Sequence, residues 1–259
     1  MTNTIETIKT LTFGTELEYT HISRQRAAQA IQSVIGGSIR YEGGSYDTWA
    51  VDAPDGRTWK AVSDGSLGDR ATTAEVVSPI LRYEDMDNLQ EIVRVLRKAG
   101  AETPSCTSQH VHIGVGDWTP RQIANLARIY YKQEVLIMKA VGTLPNRMAH
   151  YTKPTDREFI DRLEAAKPTT DEELNKAWFG RYNPHPEHYE NHRYRGLNLN
   201  NIWRTGTVEL RIFNGVKHAG VAKANILLAL ALAAKALNAK CASTKKPRTF
   251  SQTVRSVAP

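Results

Sequence analysis

Cysteine is nearly missing from this chain: the two present in 259 residues, Cys106 and Cys241, lie far apart. That spacing excludes a zinc ribbon and a disulfide scaffold. Long apolar runs are missing too. The longest, Ile226 to Ala234, spans nine residues, against the roughly 20 that cross a bilayer, so no membrane span is expected. The opening MTNTIETIKTLTFG lacks the basic and then apolar pattern of a secretory signal, and the expected compartment is the cytoplasm. Also missing are internal repeats, low-complexity linkers and a G-x-x-x-x-G-K-[ST] phosphate loop. Any nucleotide would therefore be held through metals and arginines.

Acidic residues are missing from the C-terminal segment. From Lys235 onward there are six basic side chains (Lys235, Lys240, Lys245, Lys246, Arg248, Arg255) and no acidic one. Removing those six from the formal charge of +7 leaves +1. The body is nearly neutral, so charge alone does not make this a nucleic-acid binder, although the basic segment could touch an anionic partner. What is present is an ordinary globular composition, 41% hydrophobic and 24% charged, in a chain long enough for a real core.

The pattern of apolar residues predicts interleaved strands and helices. Residues 10–20 alternate as a strand. Ser23 caps a helix carrying Ala27, Ala30, Ile31 and Val34 on one face, stopped at Gly36-Gly37. Residues 46–53 and 57–62 flank Pro54-Asp55-Gly56 as a hairpin, followed by a Ser63–Ser66 loop and a short strand over 74–78. A helix over 85–99, a strand over 109–115 and a long helix from Pro120 to about Val141 come next. Thr155-x-x-Glu158 and Thr170-x-x-Glu173 read as capping boxes of two short helices. Residues 180–195 read as irregular, 196–200 and 207–213 as strands, and about 218–238 as a buried apolar helix. Without a regular βαβα alternation, this is an α+β fold with a largely antiparallel sheet and helices on one face. The expected organisation is one domain over 1–240, with a helical or irregular insertion at 143–192 and a basic tail at 241–259.

Charged and imidazole side chains interrupt four of these strands. Glu16 and Glu18, two apart on a strand, share a face roughly 6–7 Å from each other, with Phe13 and Leu17 on the opposite side. Like charges so placed repel unless cations sit beside them; the plainer reading is a solvated strand edge. His110 and His112 repeat the pattern, as structural histidines or as ligands. In TVELRIF, Glu209 and Arg211 share a face, as an ion pair or as chemistry. Glu75 opens an apolar strand. Hard oxygen donors from several strands with one histidine suit Mg²⁺ or Mn²⁺ better than zinc. His185, His188 and His192, at spacings of three and four, could form a metal group or simply pack a loop, and Arg181 and Arg193 could belong to a lid.

Taken together, FGTELE, WKAVSDGSL, AEVVSPIL, HVHIG, YRGLNL and TVELRIF occur in an order that resembles the phage- and bacteria-associated amidoligases, relatives of glutamine synthetase and glutamate–cysteine ligase. The resemblance spans about residues 11–215. It implies a curved antiparallel sheet with ATP at one end and divalent cations bridging it to the second substrate. Carried onto matching positions, it makes Glu16, Glu18, Glu75, His112 and Glu209 metal ligands, with Glu75 completing one site and His112 and Glu209 sharing another with Glu16. Arg211 would steady the transferred phosphoryl beside Glu209. Asp64 and Ser66 resemble a substrate-side contact, and Arg195 and Asn198 nucleotide-phosphate contacts. The implied activity is ATP- and Mg²⁺ (or Mn²⁺)-dependent joining of a carboxylate to an amine through an acyl phosphate. A phosphotransferase of the same fold, and a metal-dependent nuclease or nucleic-acid-binding protein, are the alternatives.

Overall fold

A computed structural model describes residues 4–245; Lys246, Arg248 and Arg255 of the basic segment lie outside the described residues. The elements in chain order are α1 (Thr4–Thr10), β1 (Phe13–Thr20), α2 (Arg24–Ile35), β2 (Ser38–Gly43), β3 (Thr48–Asp52), β4 (Thr58–Val62), β5 (Thr73–Val77), α3 (Met86–Lys98) and β6 (Ser108–Gly114). They continue with α4 (Pro120–Ala140), α5 (Pro145–His150), α6 (Arg157–Ala166), α7 (Asp171–Phe179), β7 (Leu197–Asn198), α8 (Ile202–Thr205), β8 (Thr207–Asn214) and α9 (Ala219–Asn238). The strands are hydrogen-bonded in the order β2-β3-β4-β5-β1-β6-β8-β7, in a mixed α+β fold whose recorded strand pairings are antiparallel.

Chain contacts gather into two units. The first holds Thr12–Val111 and Phe213–Leu227. In it, β1 presents Phe13, Thr15, Leu17 and Tyr19 to the core, all nearly inaccessible, while Glu16 and Glu18 take the other face. β5 continues both faces: Val76 stands opposite Leu17 and Ala74 opposite Tyr19 in the core, and Glu75 stands opposite Glu18. The hairpin of β3 and β4 forms as expected, with Trp59 opposite Val51 and Arg57 donating to the Asp55 carboxylate from within the turn. Ser23 caps α2 by accepting from the Arg26 amide, and α2 lies over β2–β5 and against α3, burying Ala27, Ala28 and Ile31. Leu89, Ile92, Val93 and Leu96 form the buried stripe of α3. β2 is an added strand that the sequence does not announce; its six residues are mostly exposed, so they carry no alternation of apolar and polar.

The second unit holds the segment through Leu11, His112–Ile212 and the chain from Leu228 on. Its core gathers Leu126, Tyr130, Phe159, Leu163, Trp178, Leu210 and Ile212, with the Phe159 and Trp178 rings edge to face at 4.8 Å. The box at Thr170 caps α7 as expected. At α6 the cap is Asp156, not Thr155: the Asp156 carboxylate accepts from the Glu158 amide, while the Thr155 amide donates to Glu134 Oε2 at 2.8 Å. A carboxylate outcompetes a hydroxyl for an orphan amide when both are within reach.

α9 covers the stretch expected as an apolar helix. By length and composition it would suffice to cross a membrane, and half of its most apolar stretch is buried inside the protein. Its Asn225 donates to the buried Gln109 at 2.9 Å, a polar tie of the kind that holds a core helix.

Candidate functional site

In the first unit the carboxylates meet on the face of β1 and β5 opposite Leu17 and Val76. Glu18, only 4% exposed, stands directly opposite Glu75 in the antiparallel register. Cross-strand partners of this kind hold their Cβ atoms about 5 Å apart, and like charges there destabilise a sheet. Asp64 joins them because β4 runs alongside β5, with Val62 opposite Glu75. Just beyond the end of that strand, Asp64 opens a tight turn by accepting from the Ser66 amide at 2.7 Å. Ligand-type oxygens of Glu18, Asp64 and Glu75 lie within 4.8 Å of one another. Burial, then the charges of Glu16, Glu18 and Asp64, then a hydrogen bond with Asp64, push the Glu75 carboxyl well above the usual carboxylate range. Three acidic oxygens crowded at low exposure could hold a cation, or must share a proton in its absence.

Glu16, one step along the same face, accepts from His110: Nδ1 lies 2.9 Å from Glu16 Oε2. The other ring nitrogen of His110 lies 2.9 Å from Ser108 Oγ. Both histidine and serine are buried.

In the second unit Glu209 and Arg211 are legible from TVELRIF, but their company is not. Glu209 is 1% exposed. Its Oε2 accepts from Asn198 Nδ2 at 2.7 Å and Asn201 Nδ2 at 3.1 Å, and its Oε1 from Arg211 Nη1 at 2.5 Å. His112 Nε2 lies 3.9 Å from the same Oε1. Asn198 is the cross-strand partner of Glu209 and also accepts from the Asn200 amide, so its side chain is committed to holding the acid. Arg211 also donates to the Tyr151 carbonyl at 3.4 Å. Arg195 donates to the Pro154 carbonyl at 2.9 Å and faces Asp156 at 3.6 Å, which ties it to the loop before α6. Sequence reasoning misses Asn201; the doubled Asn200-Asn201 after YRGLNL is the available signal.

The three loop histidines do not converge on one another in the described residues. His192 packs its ring against Phe179 at 5.2 Å and bonds Glu190. His188 stacks edgewise on Tyr189 and meets Arg204 at 3.0 Å. Arg193 lies over the rings of Tyr189 and Tyr194.

A family model described as "Putative amidoligase enzyme" matches residues 9–233, a stretch that contains every side chain placed above. No curated protein matches the sequence. The chain belongs to this amidoligase family.

Proposed function

We propose, from membership of the amidoligase family, that this protein joins a carboxylate to an amine at the expense of ATP, with Mg²⁺ or Mn²⁺ as the resident cations. The observation that carries the reading is the meeting of Glu18, Asp64 and Glu75 within 4.8 Å. A sheet does not otherwise tolerate acids in opposite register at low exposure, and an all-oxygen donor set favours hard divalent cations over zinc. Glu18, Glu75 and Asp64 would hold one such cation, so Asp64 acts as a ligand in place of the substrate-side role suggested by resemblance. Glu16 is a further ligand on the same face. The 3.9 Å between His112 Nε2 and Glu209 Oε1 suits two ligands of a single ion better than a hydrogen bond. The fold we propose is the curved sheet of the glutamine synthetase and glutamate–cysteine ligase relatives, and the compartment the cytoplasm.

The chemistry asks for charge neutralisation and alignment rather than for a protein nucleophile. A substrate carboxylate oxygen attacks the γ-phosphorus of ATP, the bond to ADP breaks, and an acyl phosphate results. The amine then attacks the acyl carbon, phosphate departs with the bonding pair, and the amine gives up a proton. Bound cations would supply charge compensation on the phosphates. Arg211 steadies charge on the phosphoryl in transit. Its guanidinium is pre-aimed by Glu209, which is itself fixed by Asn198 and Asn201, so little reorganisation is needed at the moment of transfer.

The test is Mg²⁺-dependent release of ADP and phosphate across a panel of amino acids, amines and peptides, with mass spectrometry of the products. A product equal to two substrates less one water establishes ligation. A phosphorylated product without an amide would replace this reading with a phosphotransferase. Salt-dependent nucleic-acid binding without ATP turnover would overturn it.

A further inference from the structure

The strand Ser108–Gly114 carries two histidines on one face, and their surroundings separate them. His110 is 5% exposed and Ser108 1%. Glu16 Oε2 lies 2.9 Å from His110 Nδ1, and Ser108 Oγ lies 2.9 Å from His110 Nε2. An ionised carboxylate can only accept, so the contact with Glu16 calls for a ring N–H at Nδ1, which leaves Nε2 as the partner of the Ser108 hydroxyl. Ser108, His110 and Glu16 thus form a chain in the order found in serine hydrolases. Ser108 is buried, however, so its hydroxyl cannot reach a substrate, and the chain has no use as a nucleophile system. What it can do is fix the direction of the Glu16 carboxylate. The backbone reinforces this, because Thr15, the neighbour of Glu16, donates its hydroxyl to the His110 carbonyl at 2.8 Å.

We infer that His110 is a positioning residue, not a metal ligand: held by Ser108, it orients Glu16 for cation binding. The inference rests on the proposed function for the ligand role of Glu16, while the hydrogen-bond chain stands on its own distances. Ligand carboxylates held by an outer partner typically lose 10–100-fold in metal affinity when that partner is removed. An Asn side chain can present an amide N–H near the position of His Nδ1, so His110→Asn keeps the donor to Glu16 and gives up the acceptor for Ser108.

The experiment titrates Mn²⁺ into the full chain by calorimetry for the wild type, His110→Ala, His110→Asn and Ser108→Ala, with near-UV circular dichroism confirming the native fold. Long-range ¹H–¹⁵N spectra of the histidine side chains report the tautomer of His110. The expected result is a loss on the order of 10–100-fold in Mn²⁺ affinity for His110→Ala and recovery to within a few-fold of wild type in His110→Asn. Ser108→Ala should fall between them, and the wild-type ring should be in the Nδ1–H form. Wild-type affinity in folded His110→Ala would overturn the positioning role. An equal loss in His110→Ala and His110→Asn would overturn it in favour of direct ligation. If the wild type binds no Mn²⁺, the cation reading of Glu16 fails and the orienting role with it; an Nδ1–H ring in that case identifies the failure as one of the cation reading and not of the hydrogen-bond chain.

Discussion

Replacing Glu75 by glutamine should make the metal-free protein more stable and at the same time blunt its response to magnesium. The neighbouring acidic oxygens lie within 4.8 Å, and at an effective dielectric constant of 20 two unit charges at that distance repel by about 3.5 kcal/mol. Sharing each charge over two oxygens softens this, but the crowding still favours a retained proton, and the Glu75 carboxyl is pushed up by burial and by the charges of Glu16, Glu18 and Asp64. A carboxyl whose folded pKa is raised adds stability at low pH. That stability is lost as pH climbs above the unfolded value, about 4.3, towards the folded one, at up to ~1.4 kcal/mol per pH unit. In EDTA the wild type should therefore melt lower as pH rises from 5 to 8, while Glu75→Gln changes less. At pH 8 a gain of about 1.5 kcal/mol would raise the variant's melting temperature by roughly 3–6 °C in a chain of this size. Magnesium at a hundred times its dissociation constant stabilises the folded state by about 2.7 kcal/mol, or roughly 5–10 °C. Scanning fluorimetry of both proteins with EDTA, MgCl₂ and ionic-strength-matched NaCl reads all of this. The reasoning is refuted if Glu75→Gln melts below the wild type in EDTA and magnesium raises both equally, because Glu75 would then be an ordinary structural acceptor.

Three further outcomes follow from the geometry. Arg211→Lys should lower kcat by about 100-fold or more while leaving the KM for ATP within a few-fold, since the fork geometry of the guanidinium is lost but a positive charge stays beside Glu209; equal changes in both constants would assign Arg211 to ground-state binding. Arg57 grips Asp85 with two bonds, of 2.8 and 2.7 Å, and this pairing holds the Asp85 carboxyl below its usual range. Asp85→Asn should cost about 1–3 kcal/mol at pH 7, and the difference from wild type should vanish in denaturant titrations as pH falls through the depressed Asp85 value. Gly196→Ala should destabilise by at least about 1–3 kcal/mol by chemical denaturation, because a Cβ there would sit 2.2 Å from the Tyr130 hydroxyl and 2.6 Å from Met138.

The strands bearing acids and imidazoles were legible because apolar and polar side chains alternate along them in the sequence: Leu17 and Tyr19 against Glu16 and Glu18, and Val208, Leu210 and Ile212 against Glu209 and Arg211. Helices with a buried stripe and a strong cap were legible for the same reason, as at Ser23 and Thr170. Elements that bury little left no such trace: α1 and α8, which bury none of their residues, and β2, where exposure removes the pattern. At α6 the Thr155 amide is taken by Glu134, 21 residues earlier, a partner no local rule can supply. The same limit applied to the site. Periodicity puts His110 and His112 on one face, but only their neighbours on other strands, Glu16 for one and Glu209 for the other, tell them apart. Asp64 likewise became part of the acidic group through the β4–β5 register.

The terminal position of β2 in the sheet order bears on how the protein behaves in concentrated solution. A last strand leaves a row of backbone amides and carbonyls open to any other extended chain. Here that strand carries Arg40 and Glu42, tied to each other and to Asp52 and Lys60 on the strands behind, and it ends at Gly43 and Gly44, both with positive φ. A second chain adding along this edge would have to strip water from that lattice of charges and follow a backbone that turns away, so edge-to-edge aggregation is discouraged at this border.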